Sequence, residues 1–217
     1  MNGTFARGLA FGLMAAAAGP VAAEPRLGWY IQAGPAGVIF DEGASIAAGG
    51  ATVPGAGANL SDNATLALGI GYRFSEPFSV VAILGVPPTT TVKGTGPLAG
   101  VTVGDVTYGP LIVAANYHFP TQGKFQPFIG AGFNYTLILD TKDSGLTNLK
   151  AENALGGVLR LGFDYMVDDR NGLFFSANKV FVNTDATGNA TVLGGAPVSA
   201  KIDLDPLILH AGWVHRF

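Results

Sequence analysis

The sequence predicts an all-β protein, an eight-stranded antiparallel up-and-down transmembrane β-barrel. Three observations lead there. Segments long enough to cross a bilayer when tilted alternate in side-chain character with period two. The connections between them are short and long by turns, as when hairpins end on opposite sides of a membrane. The bulky apolar residues share one face, and glycine and polar residues share the other.

Composition narrows the field. The chain has 217 residues, a one-domain length. Charged residues make up 12%, against about 25% in ordinary soluble domains. Mean hydropathy is +0.37. After residue 23, however, no run reaches the ~20 apolar residues that a spanning helix needs. Such hydrophobicity must be spread over short strands. A net charge of -3 and the lack of a basic patch exclude nucleic acid as a partner. The absence of cysteine excludes disulfides, thiolate metal sites, cysteine nucleophiles and lipoprotein acylation.

Residues 1–23 read as a cleaved signal peptide. Arg7 supplies the positive start, Leu9 to Ala18 the short apolar run, and Val21-Ala22-Ala23 the small residues at the cleavage point. Residues 24–217 form the barrel. Its first strand is expected over Leu27 to Phe40, followed by a long connection, Asp41 to Asn63. Ala64 to Phe74 alternates clearly: Leu66, Leu68, Ile70, Tyr72 and Phe74 on one face, Thr65, Ala67, Gly69, Gly71 and Arg73 on the other. Ser75-Glu76-Pro77 turns the chain into Phe78 to Val86. After the long stretch Pro87 to Val106 comes Thr107 to Phe119, then a short turn, Pro120 to Lys124. Phe125 to Leu139 alternates again and leads into Asp140 to Ala154, with a short helical turn around Leu146 to Asn153. Leu155 to Val167, the turn Asp168 to Asn171 and Gly172 to Thr184 follow. A last long connection, Asp185 to Ser199, precedes a C-terminal strand whose outer face carries Leu207, Leu209, Ala211, Trp213, His215 and Phe217.

The orientation of the faces decides the environment. Backbone groups in lipid must be paired internally, so strands span only as a closed sheet. A soluble barrel keeps its bulky residues inside; here the bulky face is nearly free of charge and the opposite face holds Gly, Thr, Asn, Arg and Asp. Lipid therefore lies outside. A soluble lipocalin-like barrel is the competing reading, but its Gly-x-Trp signature is not matched by the adjacent Gly28-Trp29. Aromatics such as Trp29, Tyr72, Phe78, Tyr117, Phe125 and Trp213 gather beside the short turns as an interfacial girdle. Both termini lie on that periplasmic side.

The inward positions change character along the axis. Near the long connections they are apolar: Pro110, Ile112, Ile138, Val158, Ile202 and Leu204. These are the candidate ligand channel. Toward the periplasm they become Arg73, Asn116, His118, Gln126, Arg160, Asp164, His210 and Arg216, a candidate polar plug. Charges inside a barrel must be paired or hydrated, so Arg160 and Asp164 are expected to take part in a lumenal ion-pair network, with selectivity as a compatible role. Two prolines bear on the wall. Pro35 on the first strand and Pro206 on the last fall at similar heights counted from the periplasm, and neither can donate to the ladder. The alternation slips near Pro206, which a bulge at Asp205-Pro206 would explain. A local gap between the first and last strands, serving as a lateral exit, is the expectation; the other reading is that Pro206 ends the lipid-facing strand.

Signals for catalysis are weak. His118 and His215 fall at the periplasmic rim and His210 in mid-strand, away from the long connections where surface hydrolases of this architecture need them. No spacing resembles a metal-ligand set. The acids Asp41, Glu42, Asp62, Asp105, Asp140, Asp143 and Asp185 read as a solvated outer face, with a cation bridge to lipopolysaccharide as the alternative. Gly49-Gly50, Gly156-Gly157 and Gly194-Gly195 precede no helix and match no phosphate loop.

Several stretches resemble the outer-membrane protein W family, whose hydrocarbon-uptake members include the alkane-import porin. They are Lys124-Phe-Gln-Pro-Phe-Ile-Gly-Ala-Gly-Phe-Asn-Tyr135, Gly162-Phe-Asp-Tyr165, Lys201-Ile-Asp-Leu-Asp-Pro206, Pro87-Pro88-Thr89 and the closing Arg216-Phe217. The family's usual Gly-Tyr/Leu-Gly-Tyr-Arg-Phe ending is here Ala211-Gly-Trp-Val-His-Arg-Phe217. The resemblance covers most of residues 26–217. It implies an eight-stranded barrel in the outer membrane of a Gram-negative cell and passage of small hydrophobic molecules. The expected function is a passive channel or carrier, without enzymatic activity or cofactor. The alternative is a surface-binding or purely structural barrel, such as an adhesin or a phage or bacteriocin receptor. Expected partners are outer-membrane lipid and lipopolysaccharide, small hydrophobic ligands, and the barrel-assembly machinery. The last would read the C-terminal strand through Trp213, His215 and Phe217.

Overall fold

A computed structural model describes residues 27–191 and 194–217. The expected leader, residues 1–23, lies outside the described residues. Eight antiparallel strands close into a barrel: β1 (Gly28–Ile39), β5 (Asn63–Arg73), β6 (Phe78–Gly85), β8 (Thr102–His118), β9 (Phe125–Asp143), β11 (Ala154–Met166), β12 (Asn171–Phe181) and β15 (Leu207–Arg216). Each pairs with its neighbours in that order, and β15 returns to β1. Closure leaves no edge strand in lipid. The termini meet at the short-turn end, where the Phe217 N–H donates to the Trp29 carbonyl. In the last short turn the Asp168 carboxylate accepts the backbone N–H groups of Arg170 and Asn171, both at 2.8 Å. These bonds hold it below the usual carboxylate range.

Outward side chains of these strands are large and apolar. Leu66, Phe133, Leu155 and Leu161 are all more than half exposed, which in water would be an aggregation hazard and in lipid is solvation. The girdle forms at the short-turn end, where ring contacts link Trp29 to Tyr72, Phe74 to Phe78, and Tyr117 to both Phe78 and Phe119.

The long connections depart from expectation. They are strands that carry the wall beyond the eight-stranded tier: β2 (Gly43–Ala48), β3 (Ala51–Thr52), β4 (Gly57–Leu60), β7 (Thr89–Thr95), β10 (Leu146–Ala151), β13 (Asn183–Ala190) and β14 (Ala196–Asp203). The helical turn expected near residues 146–153 is strand β10. In this upper tier β10, β13, β14, β2 and β3 make one sheet, and β4 and β7 join the upper part of β8. Most of the acids are exposed, as expected of a solvated outer face, and several also tie the pieces together. Glu42 accepts from the Asn59 amide and the Leu60 N–H, Asp62 from the Phe40 N–H, and Asp143 from the N–H groups of Asn148 and Leu149.

The facing of side chains does not slip. Ile202, Leu204, Pro206, Ile208 and His210 all point inward and are buried, while Lys201 and Asp203 are exposed. What changes at Pro206 is the surroundings. Below it the outer face meets lipid and is apolar; above it the outer face meets water and is polar. No bulge occurs at Asp205-Pro206. β15 pairs with β1 in the same offset that β14 keeps with β2, from Tyr30↔Arg216 to Ala48↔Val198. Asp205 kinks the strand with a φ of 31°, and its side chain accepts the Val182 N–H in place of the ladder.

Candidate functional site

The two tiers create two lumens. The upper one encloses a cavity of about 520 Å³. Its walls carry the inward residues of the added strands, among them Ile46, Leu60, Val92, Leu149 and Ile202, together with Val106 on the upper part of β8. Of the six apolar channel residues expected from sequence, Pro110, Ile138, Ile202 and Leu204 line this cavity. Ile112 and Val158 do not; both are buried in the packed core. Ile112 pairs with the lining residue Asn134, and Val158 pairs with Val180, whose N–H donates to the carbonyl of the lining residue Pro206. Sequence reasoning missed the remaining lining because short strands rich in Thr, Ala and Gly read as loops. A weak period-two signal was there, as in Thr91-Val92-Lys93 and Asp105-Val106-Thr107.

The lower lumen is filled. Arg73, His118, Arg160, Asp164, His210 and Arg216 all point inward and are buried. The Arg216 guanidinium donates to Asp164 Oδ2 and Gln126 Oε1, each at 2.8 Å, and Gln32 donates to Asp164 Oδ1 at 3.1 Å. Asp164 therefore pairs with Arg216 across the lumen. Its expected strand-mate Arg160 lies instead 5.3 Å from the centre of the Phe128 ring, a cation–π contact. Arg73 donates to the Glu76 carbonyl. Ser79 Oγ joins Tyr30, Asn116 and His118 at 3.2, 3.2 and 2.9 Å. His210 packs edge-on against Phe174 at 4.6 Å. The void left between Arg73, His118, Asp164 and Arg216 is only about 10 Å³, room for about one water molecule. His215 faces outward at the rim and hydrogen-bonds Asn171 Oδ1 at 2.7 Å; Trp213 and Phe217 are exposed there.

Tyr30 reaches Ser79 only because residue 71 has no side chain. A Cβ on Gly71 would fall 2.1 Å from Tyr30 Cζ. Gly71→Ala is expected to push the ring off Ser79 and cost about 1–3 kcal/mol. The check is the temperature at which the folded band disappears in unboiled gel samples; an unchanged temperature would contradict this role.

The wall is weakest away from the first and last strands. Opposite Pro35 the ladder skips Gly34 and Pro35, yet the backbones there press together: a Cβ on Gly34 would lie 2.0 Å from the Ala211 carbonyl, and one on Gly212 2.1 Å from that of Ala33. This is a tight crossing, not a gap. Nor do the two prolines share a height, since the pairing offset puts Pro35 opposite Ala211 and Pro206 level with Phe40. A wider break lies between β6–β7 and β8. Pairing stops at Leu84↔Leu111 and resumes at Thr89↔Thr107 with the register shifted by one. Pro87, Pro88 and Pro110 occupy the interval and cannot donate; the Tyr108 N–H on the Pro88 carbonyl, 3.1 Å, spans it. Pro110 and Tyr108 also line the cavity.

The model of the OmpW family matches residues 28–217. The chain belongs to the OmpW family. It is 38% identical over 182 residues, 83% of this chain and 84% of the relative, to the dibenzothiophene metabolism operon protein PahQ of Pseudomonas aeruginosa. Among solved structures, the crystal structure of the outer membrane protein OprG from Pseudomonas aeruginosa superposes with a TM-score of 0.83 at 26% identity, over 88% of this chain and 96% of that one. The solid-state NMR structure of outer membrane protein AlkL in lipid bilayers gives 0.68 at 26% identity, over 96% and 97%. The family member described here is an outer-membrane β-barrel of the Gram-negative envelope.

Proposed function

We propose that this OmpW-family barrel is a passive conduit for small hydrophobic molecules and carries out no chemistry on them. The observation that supports it most is the apolar cavity of about 520 Å³ set on a closed polar floor. Apolar surface moved from water into such a cavity gains about 25 cal/mol per Å², so the upper tier favours capture. The floor, with space for about one water, argues against an open aqueous pore. Large hydrophilic solutes are expected to give little conductance. PahQ is named for an operon of dibenzothiophene metabolism, which fits an apolar, ring-bearing cargo.

With the floor closed, the route out runs sideways into lipid. The expected seam at Pro35 and Pro206 is tight at Gly34 and Gly212, so the break at Pro87, Pro88 and Pro110 is the better-supported exit. Lipopolysaccharide surrounds the outer leaflet side, and the assembly machinery reads Trp213, His215 and Phe217 on the last strand.

The test is uptake of a panel of small apolar compounds by cells with and without the protein. Ile202→Asp or Leu204→Asp places a carboxylate in the apolar wall, and uptake is expected to fall roughly tenfold while the barrel keeps its folded gel mobility. Normal uptake in both variants would remove the cavity from the mechanism. Unchanged uptake with and without the protein would leave a surface-binding or structural barrel.

A further inference from the structure

The cavity wall is apolar except at a few buried polar groups, and all but one of these are satisfied. The Thr90 hydroxyl donates to the Ser61 carbonyl at 2.9 Å. The Thr184 hydroxyl donates to the Glu152 carbonyl at 2.7 Å. The Tyr108 hydroxyl accepts from the Asn63 amide at 3.4 Å. Asn134 is different. It is 1% exposed, it lines the cavity, and its Nδ2 donates to Thr136 Oγ1 at 2.8 Å. Its Oδ1 is buried without a protein partner. Buried polar groups in folded proteins are nearly always paired, so an unpaired one on a residue that lines a ligand-sized cavity marks a place for a ligand atom.

We infer that the cargo of this cavity is an apolar molecule bearing one hydroxyl group, which docks on Asn134. The inference rests on the conduit reading above and names its substrate class. The chemistry of the carboxamide selects the hydroxyl. The Thr136 hydroxyl can donate to Oδ1 as readily as it accepts from Nδ2, so either end of the Asn134 amide can face the cavity. A hydroxyl both donates and accepts and therefore satisfies both orientations. A carbonyl or ether satisfies one, and a hydrocarbon neither. Asn134 stands opposite Ile112 on β8, one inward position below the Thr136↔Pro110 pair. A hydroxyl held there anchors the molecule at the height of the three-proline break, with its apolar body against Ile138, Leu204 and Ile208, which also line the cavity.

The experiment compares naphthalene with 1-naphthol, matched in size, in two measurements. The first is the initial uptake rate in cells carrying the wild-type protein or Asn134→Leu, at concentrations well below saturation. The ratio of naphthol to naphthalene uptake is expected to fall about three- to tenfold in N134L. The second is a titration of the ¹³C,¹⁵N-labelled protein in bilayer nanodiscs. 1-Naphthol is expected to shift the Asn134 side-chain amide resonance, and naphthalene to shift only the surrounding methyl groups. Folded gel mobility confirms that N134L assembles. A ratio unchanged by N134L, or an Asn134 amide that naphthol leaves unmoved, overturns the inference. An intact Asn134 shift with no protein-dependent uptake of either compound supports the binding site and overturns transport alone.

Discussion

Asp164→Leu is expected to lower the stability of the folded barrel by about 3–5 kcal/mol, the usual cost of removing one partner of a buried ion pair. Among the described residues, Asp164 is the only acid among the buried charges of the lower lumen; the others are Arg73, Arg160 and Arg216. Its carboxylate accepts from Arg216 at 2.8 Å and from Gln32 at 3.1 Å. Without it, three guanidinium groups share a lumen whose free space is about 10 Å³, too little for the water that could hydrate them. Asp164→Asn loses the charge and one of the two acceptor oxygens, keeping an oxygen for Arg216 and facing Gln32 with an amide that can donate to its Oε1, so it should fall between the wild type and D164L. The double variant Asp164→Leu with Arg216→Met removes both charges and should recover part of the loss, because a buried pair replaced by apolar groups is often neutral. Urea midpoints of the detergent-solubilised barrel read these differences. A D164L midpoint within about 1 kcal/mol of wild type would show that the plug is hydrated and not held by this pair.

The lower tier was legible in the sequence nearly residue by residue. A strand buried on one face by lipid and on the other by a polar lumen has one alternation from end to end, as in Leu66, Leu68, Ile70 and Tyr72 against Gly69, Gly71 and Arg73. The inward positions of Arg73, His118, Arg160, Asp164, His210 and Arg216 follow from that count. Their partners do not, because a period-two count assigns a face but says nothing about what lies across the lumen. Asp164 and Arg160 share a face four residues apart on one strand, and their side chains stand at different heights. The partner across the lumen is Arg216, which only closure of the barrel brings near.

The upper tier was not legible, for a different reason. There the polarity of the two faces is reversed, with Ile202 and Leu204 inside and Lys201 and Asp203 outside. It is a wall of soluble type, built from two sheets and stacked on a membrane-type barrel, and the reversal at Pro206 looks in sequence like a change of register. Short strands such as Thr89–Thr95 and Gly57–Leu60 bury little and carry many Thr, Gly and Ala. Their pairing comes from partners distant in sequence, as when β4 joins β7, and no local signal reports it. About half of the cavity lining sits on these strands, so the plug could be read from the sequence and much of the cavity could not.

Locking the wall beside Pro87 is expected to abolish uptake of apolar compounds, whereas locking it beside Pro35 is not. The chain has no cysteine, so an introduced pair can bond only with itself. A Cβ on Gly109 would lie 3.8 Å from Pro87 Cγ, close to the spacing that a disulfide spans. Pro87→Cys with Gly109→Cys therefore staples β8 to the segment between β6 and β7, across the interval where pairing with β8 stops at Leu84 and resumes at Thr89 in a shifted register. Pro35→Cys with Ala211→Cys staples β1 to β15, where the backbones already touch at Gly34 and Gly212. Movement is needed at an exit and not at a closed seam. Oxidation of the first pair should cut uptake to the level of cells lacking the protein, and reductant should restore it. Oxidation of the second should change little. Full uptake through the oxidised Pro87 staple would rule out the three-proline break, and a block at the Pro35 staple alone would move the exit to the first and last strands.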